Sequence, residues 1–479
     1  MVTEVQRDKN DLFAYAPLRF LFKNRIFLLT LKLVVSGLFI YAIYYGFAHP
    51  RKENRFTWAL FWGIFWALFM VATLPTLGRA FCGICPHGFA GQYITRIGLK
   101  KRMPKWMQNR FFGISLLVIG WWGVYYAMPG IYRTPTGTAI LFSVMTVVAF
   151  VFYFLYKEMD YCKYICPIGV LSRAYGKLSF TWLGTYKESC ASCRTFACAQ
   201  ACPQGLKPFT FDKRNSMTDC TLCMECTDAC EAVAFRITTP SASLFSRFKP
   251  LKAEVWAYLF ILAAIPVTMT FHHGLSRSMV ADEMIWVRTA QWAQQYVSFD
   301  AISATGLFAF LHALFFTIAS ALMGMAVASK ILGKPFGTVF YDLGYAYAPL
   351  FIFASLGHAI EQFLTRGYER IVEGFAQAFG LSVDVAPLAT HSDHWVHWFG
   401  ILKWVGVVWA LWILYKRLVR MDVAKIKKML AFPFAASVIL FYIGMNLYAG
   451  YIFRTYGVKQ HPHAMHHAGS VHTDKKPVR

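Results

Sequence analysis

Nine apolar stretches, each close to the roughly 20 residues an α-helix needs to cross a bilayer, dominate the chain. They fall at about 26–48, 57–77, 111–129, 138–156, 254–271, 303–329, 338–365, 395–415 and 430–452. Lipid admits only elements that satisfy their own backbone polar groups, so the pattern predicts an all-α polytopic membrane protein. A composition of 57% hydrophobic residues and a mean hydropathy of +0.43 fits the same class. The formal net charge of +24 does not indicate nucleic acid, because the Lys and Arg residues collect in short segments between apolar stretches, where they set topology. No cleavable signal peptide is expected, since the first 25 residues are polar and basic.

With the N-terminus inside, the inner segments hold twenty cations. They are Arg7 to Arg25, Arg79 to Arg110, Lys330 and Lys334, and Lys416 to Lys428. The outer loops hold eight: Arg51, Lys52, Arg55, Arg133, Arg277, Arg288, Arg366 and Arg370. The positive-inside rule therefore predicts N-terminus in and C-terminus out, in a bacterial inner membrane. Residues 1–156 then form a four-helix membrane domain and 157–253 a cytoplasmic insert. Residues 254–452 form a five-helix membrane domain, and 453–479 a periplasmic His-rich tail.

The insert holds ten of the twelve cysteines, and the other two follow the second span. All twelve face the reducing side under this topology, which favours metal ligation over structural disulfides. Cys220, Cys223, Cys226 and Cys230 have the C-x2-C-x2-C-x3-C spacing of bacterial ferredoxins, with Glu231 where proline is usual. Cys190, Cys193, Cys198 and Cys202-Pro203 form a variant with two extra residues before the third cysteine. In two-cluster ferredoxins the fourth cysteine of each run ligates the other cluster. The expected four-iron sets are thus Cys190, Cys193, Cys198 with Cys230, and Cys220, Cys223, Cys226 with Cys202. Zinc is the alternative, but zinc sites use two pairs, whereas a triplet plus a distal cysteine occurs twice here. Cys82-Gly-Ile-Cys85-Pro86 and Cys162-Lys-Tyr-Ile-Cys166-Pro167 end the second and fourth spans. Their four thiolates could form a third four-iron cluster at the membrane surface, with a redox dithiol or separate structural cysteines as alternatives.

These Cys-Pro motifs followed by a two-cluster segment resemble the membrane polyferredoxins of the NapH, NosR and CcoG or FixG kind, over about residues 20–250. The resemblance implies passage of electrons toward periplasmic enzymes or metal-centre maturation. The chain departs from that group in the shorter first motif and in five additional spans after residue 250.

Clusters on the inner face leave about 30 Å of hydrocarbon uncrossed, so a second carrier, quinone or haem, is expected. His312 and His358 lie at similar depths and could ligate a b-type haem; Glu361 follows His358 by one turn. His272 and His273, and His391, His394 and His397, lie near the same face and could belong to a quinol or metal site without haem. Interfacial or packing histidines are the alternative. His461, His463, His466 and His467 in the tail suit copper, or else a solvated tail.

The sequence therefore reads as a membrane-bound iron-sulfur electron-transfer subunit, in contact with lipid. It would link a cytoplasmic or quinone-pool donor to a periplasmic cytochrome, reductase or oxidase. The alternatives are an assembly factor that reduces or delivers copper, and a redox-sensing permease.

Overall fold

The computed structural model describes residues 6–51, 53–211 and 217–459; the tail histidines from His461 onward lie outside the described residues. Seven of the nine expected spans are single long apolar helices: α1 (Arg25–Ala48), α2 (Phe56–Thr76), α4 (Pro135–Leu155), α5 (Lys252–Arg277), α6 (Ala304–Leu332), α7 (Phe336–Ala378) and α8 (His394–Val419). The ninth stretch, α9, is two helices, Lys425–Ala435 and Ser437–Tyr456, bent by 41°. Pro433 lies just before the break and removes a backbone donor there. The third stretch, α3 (Phe111–Ala127), is a shorter apolar helix, about 26 Å long at 1.5 Å per residue, at the low end of what crosses a bilayer. The chain is a multi-pass membrane protein.

Contacts near their ends tie helices distant in sequence to one another. The backbone of Ser303, entering α6, donates to Ala127 O at the end of α3. Tyr41 near the end of α1 donates to Ala378 O at the end of α7. Small residues let α6 and α9 approach closely: a Cβ on Gly324 would lie 2.1 Å from Ser437 Oγ and 2.4 Å from Phe434 O. Such close packing replaces the hydrophobic effect that lipid cannot supply between helices.

The polar insert between α4 and α5 is built on a two-stranded antiparallel sheet, β1 (Thr181–Thr185) and β2 (Val233–Ile237), with Leu183 opposite Phe235. Its small core also takes Leu12 and Phe13 from the segment before α1. Asp11, fully buried, fastens that segment: its carboxylate accepts from the backbone of Phe13 (3.0 Å) and Phe235 (3.1 Å), and from the Tyr186 hydroxyl (3.0 Å). It also pairs with Arg7 at 2.8 Å. The residues before the first span therefore pack with the insert, an association the sequence pattern did not reveal.

Candidate iron-sulfur sites

Each Cys-Pro motif makes a helix start. Cys85 caps the helix Pro86–Ile97 and Cys166 caps Pro167–Tyr175, with proline in the first turn of each. Proline is suited there because its missing N–H has no partner in a first turn anyway. The backbone of Gly169 donates to Cys166 Sγ at 3.3 Å. Two helix N-termini thus present N–H groups and positive dipole ends to the same place, an arrangement that favours an anion.

The two motifs differ by one residue, and the backbone absorbs the difference. Tyr161–Ile165 is a π-helical turn in which the backbone of Cys166 donates to Tyr161 O at 2.8 Å. The extra residue widens this turn and leaves Cys162 and Cys166 facing the same side.

All four cysteines line one cavity of about 760 Å³. From there it runs between helices past Phe39 of α1, Phe61, Phe65, Trp66 and Met70 of α2, Trp121 of α3, and Phe142 and Met145 of α4. Long π-helical stretches, Ala59–Met70 and Leu116–Gly123, form two of its walls. The Tyr153 hydroxyl lies 3.0 Å from Cys162 Sγ and Ser172 Oγ 3.1 Å from Cys82 Sγ. His87, from the first motif, is buried at its edge with Nε2 2.8 Å from Thr146 Oγ1. Sequence reading passed over His87 and Arg79, which stand beside the first motif.

A second cavity, about 320 Å³, is lined by Cys202, Cys220, Cys223 and Cys226. Burial, then Cys220, Cys223, Cys202 and Cys198, push the Cys226 thiol well up. The Cys198 thiol is pushed up to about 11, first by burial and then by Cys230, with Cys190 and Cys193 adding to it. Cys82, Cys85, Cys162 and Cys166 thus line one cavity and Cys202, Cys220, Cys223 and Cys226 another, while Cys190, Cys193 and Cys230 lie close enough to act on the Cys198 thiol. The loops around them are tightly wrapped: Phe196, Leu222 and Met224 all adopt positive φ, a conformation that disfavours side chains with a Cβ and is retained where the surroundings impose it.

The groups are contiguous. A cavity of about 300 Å³ is shared by Cys82 and Cys162 on one side and Cys223 on the other. Gly83 packs against the loop between Cys220 and Cys223, where an added Cβ would sit 2.4 Å from Leu222 O. Only glycine permits that backbone approach. Lys32 of α1, also buried, donates to Cys223 O at 3.1 Å and pairs with Glu225 at 2.8 Å.

These residues fit four-iron clusters. Burial pushes Cys85 up to about 12 and Cys162 and Cys223 up to about 11, so free thiols there stay protonated. Four thiolates in such a place need cations among them, which the irons supply, while N–H groups aimed at sulfur stabilise the anionic whole.

The histidines of the second half do not form one site. His312 bonds Phe308 O of its own helix at 2.8 Å, His358 is exposed on α7, and no contact joins them among the described residues. His272 and His273 meet edge to face at 4.7 Å and lie against Tyr126 of α3. Glu361 is 3.9 Å from His391 Nδ1 and 3.7 Å from His397 Nδ1, while His394 is exposed. Among the described residues no three His, Cys, Asp or Glu side chains converge on a single metal position.

Fold and site together define a multi-pass membrane protein with iron-sulfur binding segments. A model of a 4Fe-4S binding domain matches twice, at residues 58–104 and 138–184. Each match holds one span and its Cys-Pro motif, so the Cys-Pro site is built from a repeated unit. An uncharacterised protein of Methanocaldococcus jannaschii is 25% identical over 162 residues, covering 32% of this chain and 62% of the relative. The Escherichia coli protein YccM, named as an electron transport protein, is 27% identical over 43% of this chain and 65% of its own length. The ferredoxin-type protein NapH of Escherichia coli is 30% identical over 20% of this chain and 36% of its own. In each of these three the match covers less than two thirds of the relative. No solved structure matches the chain. The matched segments are thus similar to those of proteins named for electron transport and as ferredoxin-type.

Proposed function

We propose that this protein is an electron-transfer subunit with three four-iron clusters in series. They would be held by Cys190, Cys193, Cys198 and Cys230, by Cys220, Cys223, Cys226 and Cys202, and by Cys82, Cys85, Cys162 and Cys166. The observation that carries the reading is the convergence of both Cys-Pro motifs on one cavity that adjoins the Cys223 loop. When bound, such clusters supply one-electron exchange without proton chemistry of their own.

The chain's residues do the rest. Backbone N–H groups and the Tyr153 hydroxyl steady sulfur, buried aromatic walls exclude water, and Gly83 keeps neighbouring sites close. The apolar cavity extends from the Cys-Pro site between the helices, and its aromatic lining suits the flat headgroup of a membrane quinone. Thr146 donates its hydroxyl to Phe142 O at 2.7 Å, so it accepts from His87 Nε2–H and leaves His87 Nδ1 as a hydrogen-bond acceptor at the cavity edge. In this reading the cysteines face the cytoplasm of a bacterial inner membrane, and a periplasmic redox protein is the other partner.

The test is reconstitution in liposomes. Chemical analysis should find about twelve irons, four per cluster. A reduced quinone should bleach the cluster absorbance, and Met145→Trp, which fills the cavity, should slow that bleaching while dithionite reduction stays unchanged. About eight irons would refute the third site, and equal quinol rates in both proteins would refute the quinone route.

A further inference from the structure

Six cations are buried among the described residues: Lys32, Arg79, Lys163, Arg173, Lys177 and Arg417. Five have a carboxylate within 4 Å. Lys32 pairs with Glu225 at 2.8 Å, Lys163 with Asp160 at 3.5 Å, Arg173 with Asp219 at 2.6 Å, Lys177 with Glu254 at 3.7 Å, and Arg417 with Asp342. Among the described residues Arg79 has no such carboxylate. Its Nε reaches Ser172 Oγ at 3.3 Å, Nη1 reaches Thr218 O at 3.5 Å, and Nη2 lies 3.9 Å from Cys82 Sγ. Asp219 is engaged by Arg173, at 2.6 Å, and by Arg110, at 3.4 Å.

A guanidinium cannot shed its proton, and burying one without an anion is strongly unfavourable. The sulfur beside it is therefore the place where the opposing charge belongs. Four thiolates around a four-iron core leave net negative charge at that position, and one-electron reduction adds to it. A fixed cation a few ångströms away stabilises the reduced state more than the oxidised one. The repeat makes the arrangement one-sided: the residue three before Cys162 is Met159, where Arg79 stands before Cys82.

We propose that Arg79 is the counter-charge of the Cys82, Cys85, Cys162 and Cys166 cluster, and that it sets that cluster's reduction potential above the value its thiolates alone would give. Arg79 acts through Cys82 and Ser172, so it is a positioning and electrostatic residue. The proposal rests on the third-cluster reading above.

The experiment is an EPR-monitored redox titration of the full-length protein and of Arg79→Gln and Arg79→Lys, with iron and sulfide quantified. In Arg79→Gln the reduction equilibrium of one cluster should fall at least tenfold, about 59 mV for one electron. Arg79→Lys should fall less, and the other two clusters should not move. Loss of about four irons in Arg79→Gln but not in Arg79→Lys would also support the proposal, since only charge separates the two outcomes. Full iron with an unchanged midpoint in both variants would overturn it, as would loss of the cluster from both, which would assign Arg79 to folding. About eight irons in the parent protein would refute the cluster reading itself, a distinct result.

Discussion

Gly83→Ala is the sharpest test of how the Cys-Pro site meets its neighbour. The added Cβ would lie 2.4 Å from Leu222 O, 2.9 Å from Leu222 C and 3.1 Å from Thr221 O. All three are backbone atoms, so no side chain can swing away. Restoring an ordinary contact means separating the two loops by roughly 1 Å, and forcing an extra methyl into a packed interior costs about 1–3 kcal/mol. Since Leu222 lies between Cys220 and Cys223, the displacement falls between two cluster sites rather than within either. The variant should keep about twelve irons, four at each of three sites, but show weaker magnetic coupling between the Cys-Pro cluster and its neighbour by EPR, with slower transfer between them. Gly37→Ala in α1, where nothing lies within 4 Å of the new Cβ, is the control. If Gly83→Ala matches Gly37→Ala in both coupling and stability, the argued backbone contact is wrong.

Two further outcomes follow from buried charges. Asp11→Ala should leave the Phe13 and Phe235 N–H groups unsatisfied, at about 1–3 kcal/mol each at most. Protease should then reach the segment before α1, and the two ferredoxin-type clusters should bleach faster in air than the Cys-Pro cluster. Glu254→Gln removes the carboxylate that Lys177 (3.7 Å) and the Tyr345 hydroxyl (2.5 Å) share, and breaking a buried pair costs about 3–5 kcal/mol. Its melting temperature in detergent should drop clearly, with the iron content of freshly purified protein unchanged.

The spans and the ferredoxin-type cysteines were legible because each is a local pattern: a run of apolar residues, or thiols at fixed short spacing. What stayed hidden depends on contacts distant in sequence. Asp11 reads as one more polar residue in a basic leader, yet it meets Phe235 across more than two hundred positions. Arg79 reads as a topogenic cation, and only its burial against Cys82 distinguishes it from its neighbours. Residues 111–129 passed as a span by apolar content, which does not reveal that the helix ends at Ala127. The paired histidines, His312 and His358, show the opposite case: equal depth on two helices does not bring the side chains together, and His312 bonds to Phe308 O of its own helix instead.

The two Cys-Pro motifs have unequal spacings, and the π-helical turn at Tyr161–Ile165 turns that inequality into a test. The second motif carries one residue more than the first, and the turn absorbs it by closing from Cys166 N to Tyr161 O, five residues back. Deleting Tyr164 would equalise the spacings on paper. In the structure it would convert this turn to an α-turn and rotate Cys162 by about 100°, one residue's step around a helix, away from the cavity that Cys166 still faces. The Tyr153 hydroxyl would lose its sulfur partner as well. If matching spacing were what a shared cluster required, the deletion would be harmless or helpful. If the geometry governs, the protein should lose about four irons, one cluster's worth, and keep the spectra of the other two clusters. Retention of all the iron by the deletion variant would show that the π-helical turn does not position Cys162.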